Sequence, residues 1–141
     1  ELGVKADDYS LWGGSAGARM AAVLGNKIYL QQLTGRTDIP QASSVIMQYT
    51  GYTQASKYDA PTYVCVGSND GIAYWRTMQN RLQRLSEMGI PTEFHVYDGL
   101  GHGFGLGHGT VADGWINDAL KFWQKNMKTD ESAGIPPVYA D

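Results

Sequence analysis

The residue best suited to do chemistry is Ser15, in the run Gly13-Gly14-Ser15-Ala16-Gly17. A serine hydroxyl is a weak nucleophile that needs a general base and a position clear of steric cover. Flanking glycines suit a sharp turn that pushes the side chain outward and keeps Cβ atoms out of crowded backbone. The run sits between a strand candidate and a helix candidate, where such an elbow belongs. The helix N-terminus would aim free N–H groups, that of Ala16 first, at a developing oxyanion. Ser15 also reads as the N-cap of an ordinary helix, and the local sequence leaves both readings open.

A nucleophilic serine requires a histidine, and the histidine requires an orienting acid. The sequence has three histidines. His95 falls inside a strand candidate, which favours a structural or surface role. His102 and His108 lie in two copies of one pentapeptide, Gly99-Leu100-Gly101-His102-Gly103 and Gly105-Leu106-Gly107-His108-Gly109. His102 is the preferred base, because it lies closer to the end of a strand and its position is better fixed. For the acid, Asp70 closes Tyr63-Val64-Cys65-Val66-Gly67-Ser68-Asn69-Asp70, just past a buried-strand pattern. It also reads as a cap for the following helix, and the two roles are compatible. Asp98 is the runner-up, but its place four residues before His102 suits a turn. Asp7 and Asp8 precede the first strand, at the end away from Ser15.

The elements that must position these residues emerge from apolar periodicity. Strands are expected at Tyr9–Trp12, Ser44–Tyr49, Thr62–Val66 and Thr92–Tyr97. Helices are expected at Ala16–Leu24, stopped by Gly25-Asn26, at Ile72–Met88, stopped by Gly89 and Pro91, and at Val111–Met127. The order β-α-β-β-α-β-α favours an α/β fold, a mostly parallel sheet flanked by helices. Residues 129–141 carry a Pro pair and no periodicity, which predicts an extended tail after a domain spanning 1–128.

Composition narrows the function classes. The chain has 141 residues, 43% hydrophobic and 18% charged, with net charge −3. That suits one globular domain. No basic stripe points to nucleic acid, and no apolar run approaches the ~18 residues of a membrane span. The lone Cys65, between Val64 and Val66, reads as a small buried hydrophobe and carries no compartment signal. No cluster has metal-site spacing, and no cofactor is called for.

Three stretches together resemble the α/β-hydrolase superfamily, in its esterase and lipase-like branch: Trp12 to Ala21, Val66 to Gly71, and Gly101 to Gly105. They are similar to the nucleophile elbow, acid loop and histidine loop of small acetyl- or carbohydrate-ester hydrolases. The chain order Ser15, Asp70, His102 is that family's order. The resemblance implies Ser15 as nucleophile, Asp70 as acid, His102 as base and the Ala16 N–H as one oxyanion donor. It also implies that this chain corresponds to strands five to eight, the C-terminal half of the domain. The family's HGGG-type donor loop lies upstream of the elbow, and no such motif occurs here. The expected partners are therefore an N-terminal half of the same domain and a small-molecule or carbohydrate ester. Asp70 lies 55 residues after Ser15, an interval read as one helix, one strand and a modest loop. That leaves no room for a lid and favours short acyl groups. Trp12, Tyr49, Tyr52 and Tyr74 are candidates for an aromatic lining or for ordinary core. A serine peptidase of the same fold and a non-catalytic half-domain are the competing functions.

Overall fold

The computed structural model describes residues 8–127. The expected tail at 129–141 and Asp7 lie outside the described residues. Four strands, β1 (Ser10–Gly14), β2 (Ser44–Gln48), β3 (Thr62–Gly67) and β4 (Thr92–Tyr97), form one sheet. They pair in chain order β1-β2-β3-β4, all parallel. The helices are α1 (Ala16–Leu24), α2 (Lys27–Thr34), α3 (Trp75–Glu87) and α4 (Trp115–Lys125).

Strand alternation sorts the core into two layers. Val45 and Met47 of β2 and Val64 and Val66 of β3 pack against Ala18, Ala21, Ala22, Met78, Leu82 and Leu85 of α1 and α3. Ile46, Tyr63 and Cys65 face the other way, against Trp115, Ala119 and Phe122 of α4. The central strands β2 and β3 are buried along their whole length. Such strands read as continuous apolar runs, as they do here.

The expected strands and helices are present, β1 running on through the Gly pair to Gly14 instead of ending at Trp12, with three larger differences. The first is α2, which apolar periodicity does not mark. Asn26, expected only to help stop α1, is the N-cap of the next helix. Its Oδ1 accepts from Ile28 N and Tyr29 N at 3.0 and 3.2 Å. Helix α2 and the irregular β2–β3 crossover therefore fill the interval between Ser15 and Asp70 more fully than one helix and one strand. A parallel crossover usually carries a helix. In its place, this segment is tied down by side chains. Arg81 of α3 donates through Nε to the Gln54 carbonyl (2.6 Å) and lies 3.7 Å from Asp59, with both side chains buried.

The second and third differences are late helix starts. Helix α3 begins at Trp75, after Tyr74, and ahead of it the Asp70 carboxylate accepts from the N–H groups of Ile72 and Ala73 in a separate turn. Ile72 and Met88, at the two ends of the expected helix, are exposed. Helix α4 begins at Trp115. Residues before it turn around Thr110, whose Oγ1 accepts from Ala112 N, and end at Gly114 with φ 86°. The C-terminal end of α3 is as expected. Gly89 (φ 83°) donates to Ser86 O and Ile90 to Leu85 O, which closes the last turn ahead of Pro91.

Candidate active site

All four strands point their C-terminal ends the same way, and the chemistry-bearing residues gather there. Open α/β sheets place their ligand sites at this edge. Ser15 comes directly after β1, Asp70 lies three residues beyond β3, and His102 lies five beyond β4.

Ser15 adopts φ 55° and ψ −120°. A non-glycine residue in this region carries strain of roughly 1–3 kcal/mol, which the surroundings must enforce. Here the Ser15 N–H donates to the Gln48 carbonyl of β2 (3.1 Å), and the Ser15 carbonyl accepts from Ala18 N and Arg19 N of α1. Gly13 is required by space: a Cβ there would sit 2.2 Å from the Gly17 carbonyl oxygen. Gly17 is not required for that reason, since a Cβ on it would meet nothing within 4 Å. Ser15 occupies the position before α1, but its hydroxyl makes no capping bond to the helix. The hydroxyl lies instead 3.0 Å from His102 Nε2. Ala16 is the first residue of α1, so its N–H has no acceptor within the helix.

His102 Nδ1 lies 2.7 Å from Asp70 Oδ2. A carboxylate oxygen only accepts, so the proton sits on Nδ1. Nε2 is left to accept from the Ser15 hydroxyl. The Asp70 side chain is fully buried, and burying a carboxylate is costly unless it is hydrogen-bonded. Three donors meet that cost: His102 Nδ1, Ile72 N (2.8 Å) and Ala73 N (2.7 Å). Asp70 thus holds the imidazole and turns the loop ahead of α3, but it is not the cap of that helix, which begins later, after Tyr74. The acid and histidine loops are stitched together by backbone as well. Asn69 N donates to the Leu100 carbonyl (3.0 Å).

The alternatives fall elsewhere. His108 is largely exposed, and its nearest charged partner is Asp113 at 3.7 Å. Asp98 faces Ser68 Oγ at 3.4 Å. His95 stays within β4, with its Nε2 2.6 Å from Glu93 and its ring stacked on Tyr97. Asp8 is buried, and its carbonyl accepts from Trp123 Nε1 at 2.9 Å. Cys65 is fully buried, and burial pushes its thiol pKa up. It behaves as a hydrophobe. The four aromatic candidates do not form one lining. Tyr52 is buried under the Arg81 guanidinium, Tyr74 is exposed beside Trp75, and Trp12 is half-exposed near Trp115. Tyr49 alone meets the site, its ring centroid 4.6 Å from that of His102. Gln48 and Trp115 also stand near the site. They carry no sequence signal, because nothing in their local pattern distinguishes them from core.

Neither protein-family models nor curated protein sequences match the chain. Its backbone does match solved structures. A carboxylesterase from Lactobacillus plantarum superposes with a TM-score of 0.72 at 16% identity, over 90% of this chain and 62% of that chain. A sugar hydrolase from Lactococcus lactis gives 0.70 at 18%, over 86% and 60%. Thermogutta terrifontis esterase 2 gives 0.67 at 19%, over 89% and 56%. The fold is that of the α/β hydrolases. An α/β hydrolase from a Medee basin deep-sea metagenome library is similar over 89% and 57%. This chain spans between 56% and 62% of the length of these four proteins. Its four parallel strands and flanking helices account for that shared part. Esterase 2 has also been captured phosphorylated by paraoxon.

Proposed function

We propose that this chain carries the reacting residues of a serine hydrolase that cleaves carboxylic esters through an acyl-serine intermediate. What supports the reading most is one observation. Side chains from three separate strand ends form a continuous chain, Ser15 Oγ to His102 Nε2 (3.0 Å) and His102 Nδ1 to Asp70 Oδ2 (2.7 Å).

In this reading Ser15 Oγ attacks the ester carbonyl as its proton passes to His102 Nε2. The carbonyl oxygen becomes an oxyanion, received by the Ala16 N–H at the positive end of α1. The tetrahedral intermediate collapses, the C–O bond to the alcohol breaks, and His102 returns the proton to the departing oxygen. Water then loses a proton to His102 and attacks the acyl-serine. A second collapse releases the acid and restores the Ser15 hydroxyl. Asp70 holds the imidazole in the tautomer that both steps need. Short acyl or carbohydrate-linked esters are the favoured substrates. The segment between Ser15 and Asp70 is taken up by α2 and a tethered crossover, which leaves no lid on this side. The neighbours named carboxylesterase, esterase and sugar hydrolase lend the same class their support.

The proposed partner is the N-terminal half of the same domain. Strand β1 pairs only with β2 among the described residues, and an edge strand with unpaired N–H and C=O groups is a template for another strand. That half would also bring the second oxyanion donor, whose loss typically costs about 10²–10³ in turnover. The full-length protein is expected to hydrolyse p-nitrophenyl acetate, with Ser15→Ala abolishing turnover and this chain alone showing little. Strong turnover by Ser15→Ala would sink the serine mechanism. A preference for peptide over ester substrates would move the protein to the peptidases.

A further inference from the structure

The peptide of Gly105, three residues past His102, is gripped by side chains from distant parts of the chain. Its N–H donates to the Tyr49 hydroxyl (3.3 Å), and its carbonyl accepts from Gln48 Nε2 (2.8 Å) and Trp115 Nε1 (2.9 Å). The segment needs such a grip. Gly103 and Gly105 both have positive φ, 80° and 57°. A glycine-rich loop loses much backbone entropy when it is fixed.

Tyr49 shows a second sign of being held in place. Its φ is 29°, a region that bulky side chains avoid. It is the one described non-glycine residue besides Ser15 with a positive φ. Its ring lies against the His102 imidazole, at 4.6 Å and 59°, and edge-on to Phe104 at 5.0 Å. Strained backbone persists where neighbouring structure over-determines it, and such residues cluster at functional sites. The preceding residue completes the arrangement. The Gln48 carbonyl accepts the Ser15 N–H (3.1 Å) while the Gln48 side chain holds Gly105. One dipeptide at the end of β2 therefore touches both the serine elbow and the histidine loop.

We propose that Gln48 and Tyr49, with Trp115, are positioning residues that set the distance between the Ser15 hydroxyl and the His102 imidazole. They do this by bracing the Gly105 peptide and the imidazole face against β2. The inference rests on the reading of Ser15 as nucleophile, and its readouts separate the two.

The test uses the full-length protein with Tyr49→Phe, which keeps the ring and removes the hydroxyl, and Gln48→Met, which keeps the length and removes the donor. Three quantities are measured: the labelling rate of Ser15 by a fluorophosphonate, the hydrogen exchange of the Gly105 amide, and the NMR signal of the His102 Nδ1 proton. Each variant is expected to slow labelling by about 3- to 10-fold, the span of one hydrogen bond. The Gly105 amide should exchange faster, and the Nδ1 proton signal should broaden, with the melting temperature within a few degrees of the parent. Unchanged Gly105 exchange and an unchanged Nδ1 signal in both variants would overturn the brace. So would a labelling loss matched by a fall in melting temperature with the Nδ1 signal intact. If Ser15 fails to label in the parent protein, the hydrolase reading alone falls, and the Gly105 and His102 signals still decide the brace.

Discussion

The pentapeptide Gly-Leu-Gly-His-Gly occurs twice, at 99–103 and 105–109, and the two copies meet opposite fates. In the first, Leu100 packs against the core layer under α4, and His102 is held between Asp70 and Ser15. In the second, Leu106 and His108 are exposed. Identical local sequence therefore does not decide which histidine is fixed. Position does. The first copy begins two residues after β4, where the neighbouring end of β3 supplies Asn69 N for the Leu100 carbonyl and Asp70 for the imidazole. The second copy meets the sheet only at its start: Gly105 is held by Gln48 and Tyr49 at the end of β2 and by Trp115, and its later residues turn around Thr110 toward α4.

The contrast breaks most readily at Gly67. A Cβ there would sit 1.9 Å from the Leu100 carbonyl oxygen, which is backbone and has no soft way to yield. Gly67→Ala is expected to cost about 2–3 kcal/mol by overpacking, read by chemical denaturation, and to displace the first copy alone. Gly101→Ala, where a Cβ meets nothing within 4 Å, should stay within about 0.5 kcal/mol. Equal costs at the two positions would mean that the first copy is not seated by the end of β3.

The layer beneath Leu100 makes a smaller prediction, in pH. Burial raises the pKa of Cys65 above its ordinary 9.0 and that of Tyr63 above its ordinary 10.0. The unfolded chain releases these protons at the ordinary values while the folded chain keeps them. The native state therefore binds more protons above pH 9, and stability falls as pH rises. The loss starts near pH 9 for Cys65 and near pH 10 for Tyr63. Each fully shifted group contributes about 1.4 kcal/mol per pH unit. Cys65→Ala should flatten the first part of that decline in denaturation curves taken at about pH 8, 9 and 10. An unchanged slope would remove Cys65 from the account.

Much of this was legible in the sequence, for identifiable reasons. The compact buried run at Thr62–Val66, the alternation at Thr92–Tyr97 and the three- and four-residue steps of Met78, Leu82 and Leu85 led to elements that are present. Ser15, Asp70 and His102 stood out because residue type, flanking glycines and strand ends coincide at them. They are the three side chains that the fold brings into one hydrogen-bonded chain. What stayed hidden depends on contacts far along the chain. Asn26 stops one helix and starts another, and the sequence carries only the break. Ile72 sits in a helical pattern but lies before α3, with its side chain exposed. Tyr49 carries a positive φ that the sequence marks only when glycine or asparagine stands there. Gln48 and Trp115 look like core until the Gly105 peptide is seen between them.

The most direct test of the account compares the two copies through the serine. Fluorophosphonate is reacted with the full-length protein and with its His102→Ala and His108→Ala variants, and the adduct is located by peptide mass spectrometry. The account predicts one adduct, on Ser15, with the labelling rate cut by at least about 10³-fold in His102→Ala and unchanged within twofold in His108→Ala. An adduct on another residue, or equal rates for the two variants, would contradict it.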